Sequence, residues 1–156
     1  MPSRSAFERA IQLALIAHEG QRDWCGRPFI LHPLRVGMSL LKHGELMAAA
    51  GVLHDSVEDS NGRVTLEMIE TECGVSVAEL VRKLTHLDDV SYDDYILDIS
   101  LVEAATRIKL ADLADNMAPD RCMVANPKQE QVLLKHARAL QYLRGVAVTN
   151  GWTAAA

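Results

Sequence analysis

The sequence lacks the features that mark membrane-spanning and secreted proteins. Its longest apolar stretch, residues 47–53, is far shorter than the roughly 18 residues that a membrane span needs. Glu8 and Arg9 interrupt the N-terminal segment before the core of a signal peptide could form. These absences predict a cytoplasmic protein.

Cysteine is also scarce, and its three residues form no Cys-x-x-Cys pair. Such spacing argues against a disulfide framework and against a structural zinc finger. We therefore expect reduced thiols at Cys25, Cys73 and Cys122.

Positive charge is not in excess, because 21 acidic residues face 16 basic ones. The chain therefore has no overall positive field to attract duplex nucleic acid or an anionic membrane. A phosphate ligand would have to meet its cations locally. The 156 residues are enough for one domain, and no linker, repeat or low-complexity tract separates a second. We expect a single domain over residues 1–152 and a disordered tail over residues 153–156.

Helical spacing dominates the chain, and no segment alternates apolar and polar residues as a half-buried strand does. Helix-capping patterns start at Ser5, Ser76 and Ser100, and Thr65 and Asn126 are further caps. The sequence predicts an all-α fold of seven to eight helices, the eighth depending on a break at Ser100. Their expected bounds are 5–19, 31–43, 45–57, 65–73, 76–87, 91–99, 101–117 and 127–147. The longest irregular stretch, residues 20–31, exceeds the usual helix connection, and long ordered loops often carry function.

Four ionisable residues end the strongly apolar third helix: His54, Asp55, Glu58 and Asp59. At helical spacing His54 shares a face with Glu58, and Asp55 shares the neighbouring face with Asp59. The alternative is that these acids are solvated in a turn after the helix. Acidic groups near a helix C-terminus oppose the helix dipole unless a cation offsets them.

His32 and Asp112 also lie in apolar surroundings, so we expect both to be largely buried. Either residue alone is more often a hydrogen-bonded core residue than a ligand. With His54 and Asp55 they form a set of two imidazoles and two carboxylates. That donor set suits manganese, iron or zinc with positions left open for water.

Four ordered motifs make the chain similar to a known group of enzymes. The motifs are Ala17-His18-x-Gly20-Gln21, Gly26-x-Pro28-Phe29-Ile30-x-His32-Pro33-Leu34-x-Val36, Leu53-His54-Asp55-x-Val57-Glu58-Asp59 and Lys109-Leu110-Ala111-Asp112-x-x-x-Asn116-Met117. With these motifs the chain resembles HD-domain phosphohydrolases and, more closely, the hydrolase domain of RelA/SpoT-type alarmone enzymes.

The resemblance implies an HD-type helical bundle that acts in the stringent response as a stand-alone small alarmone hydrolase. Its activity would be manganese-dependent removal of the 3′-pyrophosphate of (p)ppGpp, a small nucleotide, with Fe²⁺ or Zn²⁺ as alternative metals. It also implies residue roles: metal ligands His32, His54, Asp55 and Asp112, acids acting on the nucleophilic water Glu58 and Asp59, and a nucleotide contact at Asn116.

Two segments depart from the family pattern. Asp23 and Trp24 stand where an Arg-Lys pair is usual, and Asp115 adds an acid before Asn116. We expect Asp23 and Asp115 to disfavour a polyanionic ligand. Two roles stay open for Trp24, stacking on a base or packing against its own domain. The loop cations Arg22 and Arg27, together with Lys109, would then meet the phosphates.

Two alternatives stay open from the sequence. The chain could be an HD-type phosphohydrolase for another nucleotide or phosphoester, or a non-catalytic interaction module that contains a metal. An HD-type oxygenase would need a second iron site, for which no spare histidine cluster exists. We expect His18 to pack in the core or support the site, and His43, His86 and His136 to lie on the surface.

Overall fold

The computed structural model describes residues 4–119, 121 and 126–152, and this part of the chain is all-α, as predicted. Its only extended pairing is an isolated bridge between Arg22 and Pro28. None of its helices is long and apolar enough to cross a bilayer. The helices are α1 (Ala6–Ala17), α2 (Leu31–Leu40, continued by a 3₁₀ turn over Leu41–His43), α3 (Glu45–Leu53), α4 (Leu66–Cys73), α5 (Val75–Leu84), α6 (Tyr92–Ile99), α7 (Glu103–Asn116) and α8 (Pro127–Thr149).

Three of the five predicted helix caps are confirmed. Ser5 forms a reciprocal capping box with Glu8, and the side chains of Thr65 and Asn126 accept hydrogen bonds from the first turns of α4 and α8. The caps at Ser76 and Ser100 are wrong. Gly74, with φ 93°, turns the chain straight into α5, and the Ser100 hydroxyl donates to the carbonyl of Leu97 at the end of α6.

The core is built around α3, which packs against α1, α2, α5 and α7. Residues 48–53 are all buried, because this run consists of small and apolar side chains that fit between neighbouring helices. The helix ends at Leu53 and not at Val57 as predicted, because Ser56 N–H bonds back only three residues, to Leu53. Residues 54–60 therefore form successive turns that carry the acidic motif.

Helices α2 and α3 cross at two buried glycines, Gly37 and Gly51. Their close approach brings the first turn of α2 beside the end of α3. His32 lies in that first turn and His54 caps α3, so the crossing sets the separation of the two histidines.

The cysteines only partly follow the prediction of reduced thiols. Cys73 is buried and free. Cys25 is disulfide-bonded, so the prediction is wrong there, because sequence spacing does not reveal which cysteines approach each other in the fold. Cys122 and the predicted tail at residues 153–156 lie outside the described residues.

Candidate metal centre

Side chains from α2, α7 and the turn after α3 meet at one buried cluster. The Nε2 atoms of His32 and His54 lie 3.3 Å apart. Asp112 Oδ1 lies 3.2 Å from the first and 3.3 Å from the second. Asp55 Oδ2 lies 3.6 Å from His32 Nε2 and 3.1 Å from His54 Nε2. The structure thus brings together the four residues expected to form a metal site.

The far side of each imidazole is fixed by an acceptor. His54 Nδ1 lies 2.7 Å from the carbonyl oxygen of Gly51, which can only accept, so Nδ1 carries the proton. His32 Nδ1 lies 2.7 Å from Asp115 Oδ2. Both rings therefore turn Nε2 towards the cluster, which is the arrangement that histidine metal ligands use.

The cluster fits a small divalent cation in its distances and in its charge. Metal–ligand bonds of about 2.1 Å place neighbouring ligand atoms about 3.0 to 3.4 Å apart in octahedral or tetrahedral geometry. Most of the observed separations fall in or close to that range. Among the described residues, His32, His54 and Asp112 form a group in which one ligand atom of each lies within 4.8 Å of the others.

The pKa shifts show that the cluster attracts positive charge. Burial lowers the pKa of His32, but its bonds to Asp112, Asp115 and Asp55 outweigh burial and raise that pKa to about 9. Burial also works against ionisation of Asp112, yet Lys109 and the two histidines hold its pKa well below the usual range. The carboxylates are therefore ionised, and protonated histidines or a metal ion must balance their negative charge.

A cavity of about 250 Å³ opens beside the cluster, with Asp55 in its wall. Of the residues expected to contact a ligand, three line it: Arg22, Trp24 and Asn116. Asn116 Nδ2 also donates to Asp112 Oδ1 at 2.7 Å, which links the cavity to the cluster. A larger groove of about 620 Å³ between α6 and α8 contains none of the four candidate metal ligands.

The family model described as HD domain matches residues 10–154. The chain belongs to the HD domain family. The predicted resemblance is confirmed at this level, and the HD domain family implies a divalent metal, for which the buried cluster is the candidate site.

Curated relatives of this HD domain carry names from (p)ppGpp metabolism. The guanosine-3′,5′-bis(diphosphate) 3′-pyrophosphohydrolase of Vibrio cholerae is 34% identical over 134 residues, which cover 74% of this chain and 18% of the relative. The bifunctional (p)ppGpp synthase/hydrolase SpoT of Escherichia coli is 35% identical over 130 residues, which cover 71% of this chain and 17% of SpoT. The chain thus spans less than a fifth of the length of these relatives.

A solved structure of similar size has the same fold. It is described as a metazoan ortholog of SpoT that hydrolyzes ppGpp. It aligns with a TM-score of 0.76 and 25% sequence identity, covering 94% of this chain and 89% of that one.

The two expected catalytic acids lie in the turns of this HD domain that follow Asp55. Glu58 Oε2 accepts a hydrogen bond from the backbone N–H of His86 at 3.0 Å. Partial burial, with Asp55 and Glu58 nearby, raises the pKa of Asp59 to about 6. The backbone of Asp59 is tied to the loop after α1 by Gln21, whose Nε2 donates to the Asp59 carbonyl at 2.6 Å.

His18 supports the same turn from the core of the HD domain. It is buried, and its Nδ1 lies 2.8 Å from Gln21 Oε1, so it orients the amide that holds Asp59.

Lys109 and Arg27 are engaged away from the cavity. Lys109 Nζ lies 2.8 Å from Asp112 Oδ2, so Asp112 turns one oxygen to the histidines and the other to this lysine. Arg27 Nε lies 3.0 Å from Asp23 Oδ2, and Asp23 Oδ1 accepts from the backbone N–H groups of Cys25 and Arg27. Asp23 thus folds its own loop and its charge is paired with Arg27. Asp23 also lines the cavity, so its repulsion of a polyanion stays a prediction.

Two residues that the sequence did not place at the site, His136 and Arg121, belong to the same region. His136 lies in the cavity wall and not on the surface, and burial is the main cause that lowers its pKa to about 4. Its place in the stripe Val132, His136, Ala139, Leu143 was the available signal. Arg121 also lines the cavity, and its Nη2 donates to Asn116 Oδ1 at 3.1 Å. Asp115, expected to disfavour a polyanion, has its charge paired with Arg35 at 2.6 Å.

Proposed function

We propose that this HD domain is a metal-dependent phosphohydrolase that removes the 3′-pyrophosphate of (p)ppGpp-like guanosine nucleotides. The observation that carries the proposal is the donor set of buried His32, His54 and Asp112 with partly exposed Asp55, next to a cavity whose wall includes Arg22 and Arg121. Relatives named as 3′-pyrophosphohydrolases support the substrate class. Manganese is the proposed metal, because two imidazoles and two carboxylates form the mixed nitrogen and oxygen set that it accepts.

The chemistry combines a metal ion with carboxylates that move protons. A divalent cation at the four ligands would lower the pKa of a bound water and polarise the substrate phosphate. Glu58 and Asp59 stand in the turns after Asp55 and would accept the proton of the attacking water. As the water oxygen bonds to phosphorus, the bond to the 3′ oxygen breaks and that oxygen takes up a proton. From ppGpp the products are GDP and pyrophosphate.

Binding would fall to the residues of the cavity wall. Arg22 and Arg121 supply charge-assisted hydrogen bonds to phosphate oxygens. Trp24, 54% exposed, offers a flat face for a base. Asn116 is held between Asp112 and Arg121, so a nucleotide bound to it would stand next to the metal. Lys109 offsets the charge of Asp112 and is not proposed to contact substrate.

A second candidate is hydrolysis of another phosphorylated nucleotide. The observation that favours it is the loop at Asp23 and Trp24, where Arg27 is paired with Asp23 and does not line the cavity. Fewer cations would then face the ligand than with the Arg-Lys pair that is usual at positions 23 and 24. Having fewer cations weakens the binding of phosphate groups but leaves the metal cluster unchanged.

The test is product release from a panel of nucleotides by purified, manganese-loaded protein. We expect GDP and pyrophosphate from ppGpp, and loss of turnover in His54→Ala. His43→Ala is the matched control, since His43 lies in the 3₁₀ turn after α2, outside the cluster. Hydrolysis of other nucleotides but not of ppGpp would favour the second candidate. Absence of release from every nucleotide by metal-loaded protein would refute both.

A further inference from the structure

Asp115 has two partners on α2, and Arg121 Nη1 lies 4.0 Å from its Oδ2. Its Oδ2 accepts from His32 Nδ1 at 2.7 Å and from Arg35 Nη2 at 2.9 Å. Its Oδ1 accepts from Arg35 Nε at 2.6 Å. The Asp115 side chain is only 12% exposed, so these bonds form away from bulk water. Both carboxylate oxygens are therefore used by residues of the chain itself.

The contacts repeat along two facing helices. On α7, Asp112 and Asp115 are three residues apart, and on α2, His32 and Arg35 have the same spacing. Residues three apart lie on one helix face, so the two pairs face each other. His32 contacts both acids and Arg35 contacts Asp115. The His32 ring stands between the two acids, with Nε2 3.2 Å from Asp112 Oδ1 and Nδ1 2.7 Å from Asp115 Oδ2.

The two candidate histidine ligands are held in different ways. His54 donates Nδ1–H to the carbonyl of Gly51 in its own helix, a partner that no side-chain substitution removes. His32 depends on a side chain 83 residues further along the chain. The carboxylate is the stronger acceptor of the two, because it is charged.

We propose that Asp115, clamped by Arg35, is a positioning residue that fixes the His32 ring and its tautomer so that Nε2 is presented to the metal. The inference rests on the metal site of the proposed function. A carboxylate that accepts the distal N–H of a histidine ligand fixes the ring and makes it a better donor to the metal. The bidentate pair with Arg35 fixes the carboxylate in turn and occupies the oxygen that His32 does not use.

The experiment measures Mn²⁺ affinity by calorimetry, without substrate. Asp115→Ala should weaken binding by about 10- to 100-fold, the usual effect of losing such an outer partner. Arg35→Gln should weaken it less, because the bond from His32 to Asp115 remains, and Arg35→Lys should recover part of that loss. The matched control is Asp98→Asn, since Asp98 pairs with Lys83 at 2.6 Å in another part of the fold. Its Mn²⁺ affinity should equal that of the parent.

A second readout does not depend on the folding of a variant. In zinc-loaded parent protein with ¹⁵N-labelled histidine, NMR should show His32 protonated at Nδ1 and free of a proton at Nε2. The reverse tautomer would overturn the proposal, as would a folded Asp115→Ala protein that binds Mn²⁺ within twofold of the parent. Parent protein that binds no divalent metal would refute this inference together with the proposed function. Normal metal binding without phosphohydrolase activity would refute the proposed function alone.

Discussion

Gly51 of α3 lies directly against Gly37 of α2, so that a Cβ added to Gly51 would stand 3.3 Å from the Cα of Gly37. A Cβ added to Gly37 would come within 2.9 Å of the Ala48 carbonyl oxygen and would also collide with the side chain of Val52. The backbone of α3 cannot yield as a flexible side chain does. Neither position has room for a side chain, and the crossing therefore holds His32 and His54 at their observed separation.

Gly37→Ala should accordingly destabilise the fold and loosen the metal centre. Overpacking of a well-filled core costs about 1 to 3 kcal/mol. We expect that loss in the free energy of unfolding, measured with urea, together with weaker Mn²⁺ binding. Gly145→Ala is the control, because a Cβ at that position on α8 meets nothing within 4 Å. It should be neutral or slightly stabilising, as alanine favours the helix. Equal stabilities for the two variants would contradict the packing argument.

Local signals in the sequence predicted most of the helical fold. Ser5, Thr65 and Asn126 accept from N–H groups within their own first turns, so each cap is encoded by neighbouring residues. The end of α3 was misplaced by four residues, because a tightened turn at Ser56 competes with continued helix. That choice depends on packing, which short sequence windows do not contain.

The sequence likewise predicted one part of the candidate site, the metal ligands, but not the charged partners around them. Two histidines and two acids in apolar surroundings predicted that His32, His54, Asp55 and Asp112 would meet. The pairing of Asp115 with Arg35 joins residues 80 positions apart, and no local pattern marks it. Likewise, the ion pair of Asp23 with Arg27 depends on the loop conformation, which net charge does not reveal. Donor chemistry was readable from sequence, whereas the partners that neutralise charge were not.

Glu58→Gln and Asp59→Asn should retain the metal and lose most turnover. Neither residue belongs to the proposed ligand set, and loss of a general acid or base typically lowers the rate by about 10² to 10⁴. Steady-state turnover and metal content of the same samples test this expectation. Asp89→Asn, an exposed acid in the loop before α6, is the control. Parental turnover in both variants would exclude a role for these acids in proton transfer.

Arg121→Gln should raise the KM for the nucleotide more than it lowers kcat. Arg121 lines the cavity and bonds to Asn116 Oδ1, so it is expected to bind a phosphate without touching the candidate ligands. Loss of a charged hydrogen bond of about 1.5 to 3 kcal/mol corresponds to about 10- to 100-fold in KM. Arg82→Gln removes an exposed arginine, paired with Glu79, outside the site and should leave KM unchanged. An unchanged KM in Arg121→Gln would mean that the phosphates bind elsewhere.

Trp24 should report nucleotide binding directly, because it is the tryptophan in the cavity wall. Stacking of a base on an aromatic side chain contributes about 1 to 3 kcal/mol, so Trp24→Ala should weaken GDP binding by about 5- to 100-fold. In a Trp152→Phe background, added GDP should quench the remaining fluorescence of Trp24.

The variant Asp23→Ala tests whether the negative charge of this loop repels the nucleotide. Asp23→Ala removes the acceptor of two backbone N–H groups and of Arg27, so the loop should lose order and GDP binding should weaken although a negative charge is gone. Tighter GDP binding in Asp23→Ala would restore the simple repulsion argument. Unquenched Trp24 fluorescence at saturating GDP would remove the stacking role.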